Sequence, residues 1–126
     1  MIKGIGIDIV EVARIAESLK KEGFKEKVFT EDEITYCESK KAHAVESYAA
    51  RFAAKEALGK ALGTGVAPGN LTEIETLPDE AGVPQIHLHG EMLRRAYFWN
   101  AGAIFVSLSH TSQMAAAQVI VEAKYQ

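Results

Sequence analysis

The feature that most restricts how this chain can fold is an alanine-rich stretch from about Ala42 to Leu62, free of proline and followed by Gly63-Thr64-Gly65. Alanine has the highest helix propensity, and glycine just past the last helical turn is a common stop, so the stretch predicts one long helix. Apolar residues lie nearly all round it. Such a helix has no face suited to water, so the rest of the chain must wrap it.

The remaining segments supply the wrapping. Residues 2–10, IKGIGIDIV, alternate, which predicts a strand with Ile5, Ile7 and Ile9 on a packed face and Gly4, Gly6 and Asp8 on an open one. From about Glu11 the period changes, with Val12, Ile15, Ala16 and Leu19 at helical spacing. That helix is expected to end near Gly23 and to carry Arg14, Ser18 and Lys21 outward. Thr30 and Glu33 have the spacing of a capping box, opening a short helix through Tyr36 and Cys37. Strands are expected at 74–77 and 85–88, joined by the turn-forming residues 78–84, and a helix at 90–100. A hairpin of 104–109 and 114–122 turns through His110-Thr111-Ser112-Gln113. This order predicts an α+β fold, a mainly antiparallel sheet wrapped around a long central helix. At 126 residues, 48% of them hydrophobic, residues 1–126 suffice for one domain with a real core.

Charge and composition exclude several classes. Fourteen Lys and Arg against 17 Asp and Glu give a net charge of −3, which argues against nucleic acid as the main partner. Cys37 is the single cysteine, so no internal disulfide forms. No apolar run approaches the roughly 18 residues of a membrane span, and the start of the chain lacks a signal-peptide pattern. A cytoplasmic protein that needs no membrane is expected.

Several positions suggest chemistry. Asp8 shares its strand face with two glycines, which leave room for a cation that a carboxylate would bind; Asp8 also has the spacing of a helix cap with Glu11. Glu56 interrupts a stripe of apolar and small residues, because Val45, Ala49, Phe52 and Gly63 fall within about 40° of it at 100° per residue. Lys60 lies one turn later, in the favoured order for a helical ion pair. An ion between Asp8 and Glu56, with Lys60 beside it, would satisfy both carboxylates and present positive charge to phosphate oxygens; a solvated Glu56–Lys60 pair is the plain alternative. Arg51 and Lys55 form a second i, i+4 pair, expected to be the wet edge of the helix. His110 and Thr111 end a hairpin strand, where polar side chains either line a site or serve the turn. His87 and His89 lack partners to complete a metal set and are expected to be strand surface.

Taken together these pieces form a pattern. The chain resembles the bacterial holo-[acyl-carrier-protein] synthases, the short phosphopantetheinyl transferases. The likeness runs through Ile5-Gly6-Ile7-Asp8-Ile9-Val10-Glu11, Phe29-Thr30-x-x-Glu33, the block from Arg51 to Gly65 and Val106-Ser107-Leu108-Ser109-His110-Thr111. The resemblance implies the phosphopantetheinyl transferase fold and transfer of the 4′-phosphopantetheine arm of coenzyme A to a serine of apo acyl carrier protein, in support of fatty acid biosynthesis. It implies Asp8 and Glu56 as Mg²⁺ ligands and Lys60 as a phosphate-contacting catalytic residue. Arg51, Lys60, His110 and Thr111 would contact coenzyme A, and a homotrimer would share its sites between neighbours. Arg14 and Lys21, at i, i+7 on the first helix, are expected to receive an acidic helix of the carrier protein. A coenzyme A-binding subunit without transfer, and a purely structural module, are the competing classes.

Overall fold

A computed structural model describes residues 1–125. Strand β1 (Ile2–Glu11) leads directly into α1 (Val12–Leu19), followed by the short α2 (Phe24–Val28) and by α3 (Glu31–Glu38). A 3-10 turn at Lys41–His43 enters α4 (Ala44–Ala61), the long central helix. A second 3-10 segment, Pro68–Glu73, precedes β2 (Ile74–Pro78) and β3 (Pro84–Leu88). Then come α5 (Gly90–Phe98), β4 (Ala101–His110) and β5 (Met114–Ala123). The strands form two antiparallel sheets, β1-β5-β4 and β2-β3. The expected α+β architecture around a long helix is therefore present. Helix α2 was not foreseen, and α1 stops at Leu19 because Gly23, with φ +81°, sits outside it as the entry to α2.

The three-stranded sheet reverses the expected orientation of β1. Its inner face carries Gly4, Gly6, Asp8 and Val10 beside Val121, Val119, Ala117 and Ala115 of β5. Ile5, Ile7 and Ile9 point outward and are 57%, 63% and 64% exposed. The reason is the approach of α4. A Cβ on Gly6 would stand 2.8 Å from the Ala61 amide nitrogen and closer still to the Ala57 carbonyl oxygen. Gly4 meets Ala61 in the same way. Two glycines against the alanines of α4 let strand and helix backbones nearly touch, and larger residues can stand only on the far face.

Around α4 the core holds Tyr48, Leu58, Phe29, Ile74, Met92 and Val119, all essentially inaccessible. The capping box at α3 is fully formed: the Glu33 amide donates to the Thr30 hydroxyl, and the Thr30 amide donates to Glu33 Oε1. Glu33 does more than cap. Its Oε1 also accepts Lys55 Nζ at 2.8 Å, and its Oε2 accepts the Thr76 amide at 2.8 Å. The expectation that Lys55 lies on a wet edge is therefore wrong: Glu33 and Lys55 are both wholly buried. Nζ also donates to the Leu71 and Ile74 carbonyls, so all three ammonium protons are used. One side chain thus ties α4 to α3, the second 3-10 segment and β2. Burial pulls the Lys55 pKa below its ordinary value, and Glu33 opposes that shift.

Candidate functional site

The close packing of β1 on α4 sets the geometry of the first cluster. Asp8 follows Gly4 and Gly6 on the inner face, one step beyond the closest contact, where the sheet begins to leave room for a side chain. Lys60 Nζ reaches across from α4 and donates to Asp8 Oδ1 at 3.1 Å and to the Ile7 carbonyl at 3.0 Å. The cap reading of Asp8 fails: Glu11 is the N-cap of α1, without a side-chain bond, and the first helical amide, Val12, donates to the Gln113 carbonyl instead. The local Glu56–Lys60 pair is also absent from the ion pairs of the described residues, since the ammonium turns to Asp8. Burial first, and the Asp8 charge second, push the Glu56 carboxyl above its ordinary range, while Lys60 and Arg14 oppose this. Asp8 and Glu56 are thus close enough to repel, with one ammonium between strand and helix.

That donor set suits a hard divalent cation. No group of three or more His, Cys, Asp or Glu able to hold an ion occurs among the described residues, so a closed protein cage is excluded there. Two carboxylates suit Mg²⁺, which keeps several waters and completes its shell with substrate phosphates.

The second cluster lies in a cleft of about 960 Å³ between α3, the start of α4, the β2-β3 loop and the end of β4. Arg51, His110 and Thr111 all line it. Arg51 is 5% exposed, a second departure from the wet edge expected of it. Its Nη1 donates to the Ser47 carbonyl and hydroxyl oxygens, its guanidinium stacks 4.4 Å from the Tyr36 ring centre, and its buried Nε has no partner among the described residues. A rigid guanidinium with a spare donor at a cleft wall is suited to an anion. Lys40 lies 4.8 Å from the same ring centre, adding positive charge. Thr111 anchors the hairpin turn, its hydroxyl oxygen accepting the Gln113 and Met114 amides.

The structure thus gathers the expected residues into two groups. Asp8, Glu56 and Lys60 form one, and Arg51, His110 and Thr111 form the other; the carboxylate group does not line the cleft. On α4 the five residues from Arg51 to Glu56 turn the helix by about 140°, which aims the two groups in different directions. Arg14 is exposed on α1, within range of Glu56, whereas Lys21 is exposed beyond the end of α1, so no single-helix basic stripe exists. His87 is exposed as expected; His89 is paired with Glu75 at 3.1 Å. Sequence reasoning missed Tyr36 and Glu46 in the cleft, because what places them there, Arg51 over the Tyr36 ring and His110 beside Glu46, comes from segments distant in sequence.

Comparison with known proteins follows these lines. The model of the family described as ACPS, 4′-phosphopantetheinyl transferase superfamily, matches residues 4–117. A holo-[acyl-carrier-protein] synthase of Alkaliphilus metalliredigens is 50% identical over 121 residues, covering 95% of this chain and 98% of that protein. The structure of a Bacillus anthracis holo-(acyl-carrier-protein) synthase in complex with CoA (3′,5′-ADP) superposes with a TM-score of 0.80 at 36% identity, covering 98% of both chains. A Helicobacter pylori holo-[acyl-carrier-protein] synthase in complex with coenzyme A gives a TM-score of 0.79 at 34% identity, covering 94% of this chain and 99% of that one.

Proposed function

The chain belongs to the 4′-phosphopantetheinyl transferase superfamily, and from that membership we propose that it transfers the 4′-phosphopantetheine arm of coenzyme A to a serine of apo acyl carrier protein. The products are holo carrier protein and adenosine 3′,5′-bisphosphate. The observation that carries this reading is the convergence of Asp8 and Glu56 beside Lys60 at the β1–α4 contact. We place the reaction in the cytoplasm, in the supply of carrier protein to fatty acid biosynthesis.

The reaction needs a serine oxygen to attack the phosphorus that bears the pantetheine arm, while the bond to the adenosine-bound phosphate breaks. The serine proton passes to a base, Glu56 or a water held by the carboxylates, and the departing bisphosphate takes the electron pair of the broken bond. Asp8 and Glu56 are the residues that would hold Mg²⁺, which when bound supplies charge neutralisation and polarisation of the pyrophosphate. Lys60, fixed by Asp8 and the Ile7 carbonyl, sets an ammonium where the leaving phosphate gathers charge. Arg51 offers its unpartnered Nε, with His110 and Thr111, to the nucleotide end of coenzyme A. Arg14, at the edge of the carboxylate pair, with Lys21 nearby in sequence, supplies positive charge for an acidic carrier protein. Raising salt should then weaken use of carrier protein more than use of coenzyme A, and equal effects on both would remove this role.

Two features support the homotrimer with shared sites that the family resemblance implies. The outward face of the three-stranded sheet carries Ile5, Ile7, Ile9 and Phe105, all more than half exposed, and a face of that kind calls for a cover. The carboxylate cluster and the cleft also point apart in one chain, so a neighbouring copy is needed to bring a cleft to a carboxylate pair.

The deciding experiment incubates the protein with coenzyme A, Mg²⁺ and apo carrier protein and reads the carrier by mass spectrometry. An adduct of about 340 Da is expected from the covalent structure of the arm. Asp8→Asn and Glu56→Gln should lower the rate at least about a hundredfold with thermal unfolding little changed. Absence of the adduct with folded protein and competent carrier rejects the reading.

A further inference from the structure

One carboxylate in the cleft lies between two imidazoles. Glu46 lies in the first turn of α4, and its Oε2 stands 3.4 Å from His43 Nδ1 and 3.4 Å from His110 Nδ1. The histidines come from different walls: His43 from the 3-10 turn that enters α4, His110 from the last position of β4. Glu46 is 19% exposed, against 75% and 44% for the two rings. The carboxylate is therefore the fixed member, and the rings are the ones with freedom to turn. A histidine at the end of a strand has a broad, roughly two-fold choice of ring orientation. A carboxylate within ion-pair reach of Nδ1 biases that choice, since it attracts a proton held on Nδ1 and leaves Nε2 on the opposite edge of the ring.

We propose that Glu46 is a positioning residue, holding the His110 imidazole with Nδ1 toward α4 so that Nε2 is presented to the nucleotide end of coenzyme A. The inference rests on the reading that the cleft receives that end. It gives the cleft two pre-set donors or acceptors rather than one: Arg51, locked by Ser47 and Tyr36, and His110, oriented by the Glu46 charge beside it. A carboxylate is at first sight out of place beside a site for phosphate, because its charge repels the ligand. Orientation of the ring explains its presence, and the two effects have opposite signs.

That difference in sign is the test. The unaltered chain, Glu46→Ala, Glu46→Gln, His110→Ala and the double variant Glu46→Ala/His110→Ala are titrated with adenosine 3′,5′-bisphosphate and assayed for transfer. Glu46→Ala should raise both Kd and the KM for coenzyme A about tenfold, with kcat changed less than about twofold. Glu46→Gln, uncharged but still able to accept the Nδ1 proton, should recover most of the loss. The double variant should bind no worse than His110→Ala, the signature of two residues acting as one. Unchanged or tighter binding in Glu46→Ala, or losses that add in the double variant, overturns the proposal. Nitrogen-correlated NMR of His110 in the unaltered chain is independent of whether any variant folds: Nδ1 should carry a proton, and an imidazole protonated only on Nε2 overturns it. If the unaltered chain neither binds the bisphosphate nor transfers, the proposed function itself fails.

Discussion

Substituting Gly6 with alanine adds one methyl group at the tightest point of the molecule. The new carbon would lie 2.8 Å from the Ala61 amide nitrogen and deeper still against the Ala57 carbonyl oxygen. Comfortable contact requires about 3.5 Å or more, so β1 and α4 must part by more than about 1 Å. Both obstacles are helix backbone, held by its own hydrogen bonds, and no side chain can swing away. Overpacking of this kind costs about 1–3 kcal/mol, and backbone obstacles place the loss at the upper end. Removing glycine's unfolded-state freedom returns about 0.5–1 kcal/mol, which leaves a net loss near 2 kcal/mol. Against a typical total of about 5–15 kcal/mol the variant still folds. The effect on transfer should be larger than this number suggests. Asp8 is the next residue on the same face, and moving it about 1 Å from Glu56 and Lys60 is expected to cost roughly a hundredfold in rate. Urea unfolding and the mass-spectrometric transfer assay read the two quantities separately. Gly69→Ala, at a position with open space around it, is the control and should change neither. A Gly6→Ala protein within 0.5 kcal/mol of the parent, with transfer intact, would refute the argument that backbone contact sets the site.

Three other outcomes are expected. Lys55→Met should destabilise the fold by about 3–5 kcal/mol in urea unfolding, because it leaves Glu33 charged and buried with two peptide carbonyls unpaired; a loss below about 1 kcal/mol would contradict that account. Ile7→Glu should abolish self-association in light scattering and lower transfer with it, and a variant that keeps the parent's mass in solution would remove the outward isoleucine face as the interface. Stability should fall steeply in acid. Hydrogen bonds from Tyr48 and Lys25 hold Glu38 below the ordinary carboxylate range; burial acts the other way on Glu75 and Glu73, but hydrogen bonds from Thr30 and His89 to the one, and from the Glu91 and Met92 amides to the other, outweigh it. A depressed native pKa means fewer protons bound than in the unfolded chain, so this stability is complete above the unfolded carboxylate value near 4.3 and disappears as pH falls through the native values. A urea midpoint that stays level from pH 6 to pH 3 would contradict it.

Local signals were readable in the sequence and distant ones were not. The Thr30–Glu33 capping box is visible because both halves sit in four residues, and it forms as expected. The long helix is visible in its alanines. Glu33 and Lys55, by contrast, are 22 residues apart and meet only through tertiary packing, so Lys55 read locally as half of a solvated pair with Arg51. Strand β1 shows the same limit in another form. Alternation reveals that two faces differ but not which one meets the core, and the usual preference for burying isoleucine pointed the wrong way. The alanines of α4 held the missing clue, since a helix of small side chains is approached most closely by a strand of still smaller ones. Asp8, Glu56 and Lys60 were legible as a group because the glycines and the interrupted apolar stripe mark them. Glu46 was not, because what gives it meaning is a histidine at the far end of the chain.

The pairing of β1 has a consequence for how the molecule is made. Strand β1 hydrogen-bonds along its length to β5, which is synthesised far later, and even the Met1 carbonyl accepts the Ala123 amide. No earlier strand is available to it, since β2 and β3 pair with each other. Until Met114–Ala123 emerges, a glycine-containing segment with four isoleucines must wait without a partner, as must the helix face meant to lie against it. The fold therefore closes late and around its ends. Native structure should appear only once Met114–Ala123 has left the ribosome, and a chain cut just before Met114 should be aggregation-prone rather than a weakened enzyme.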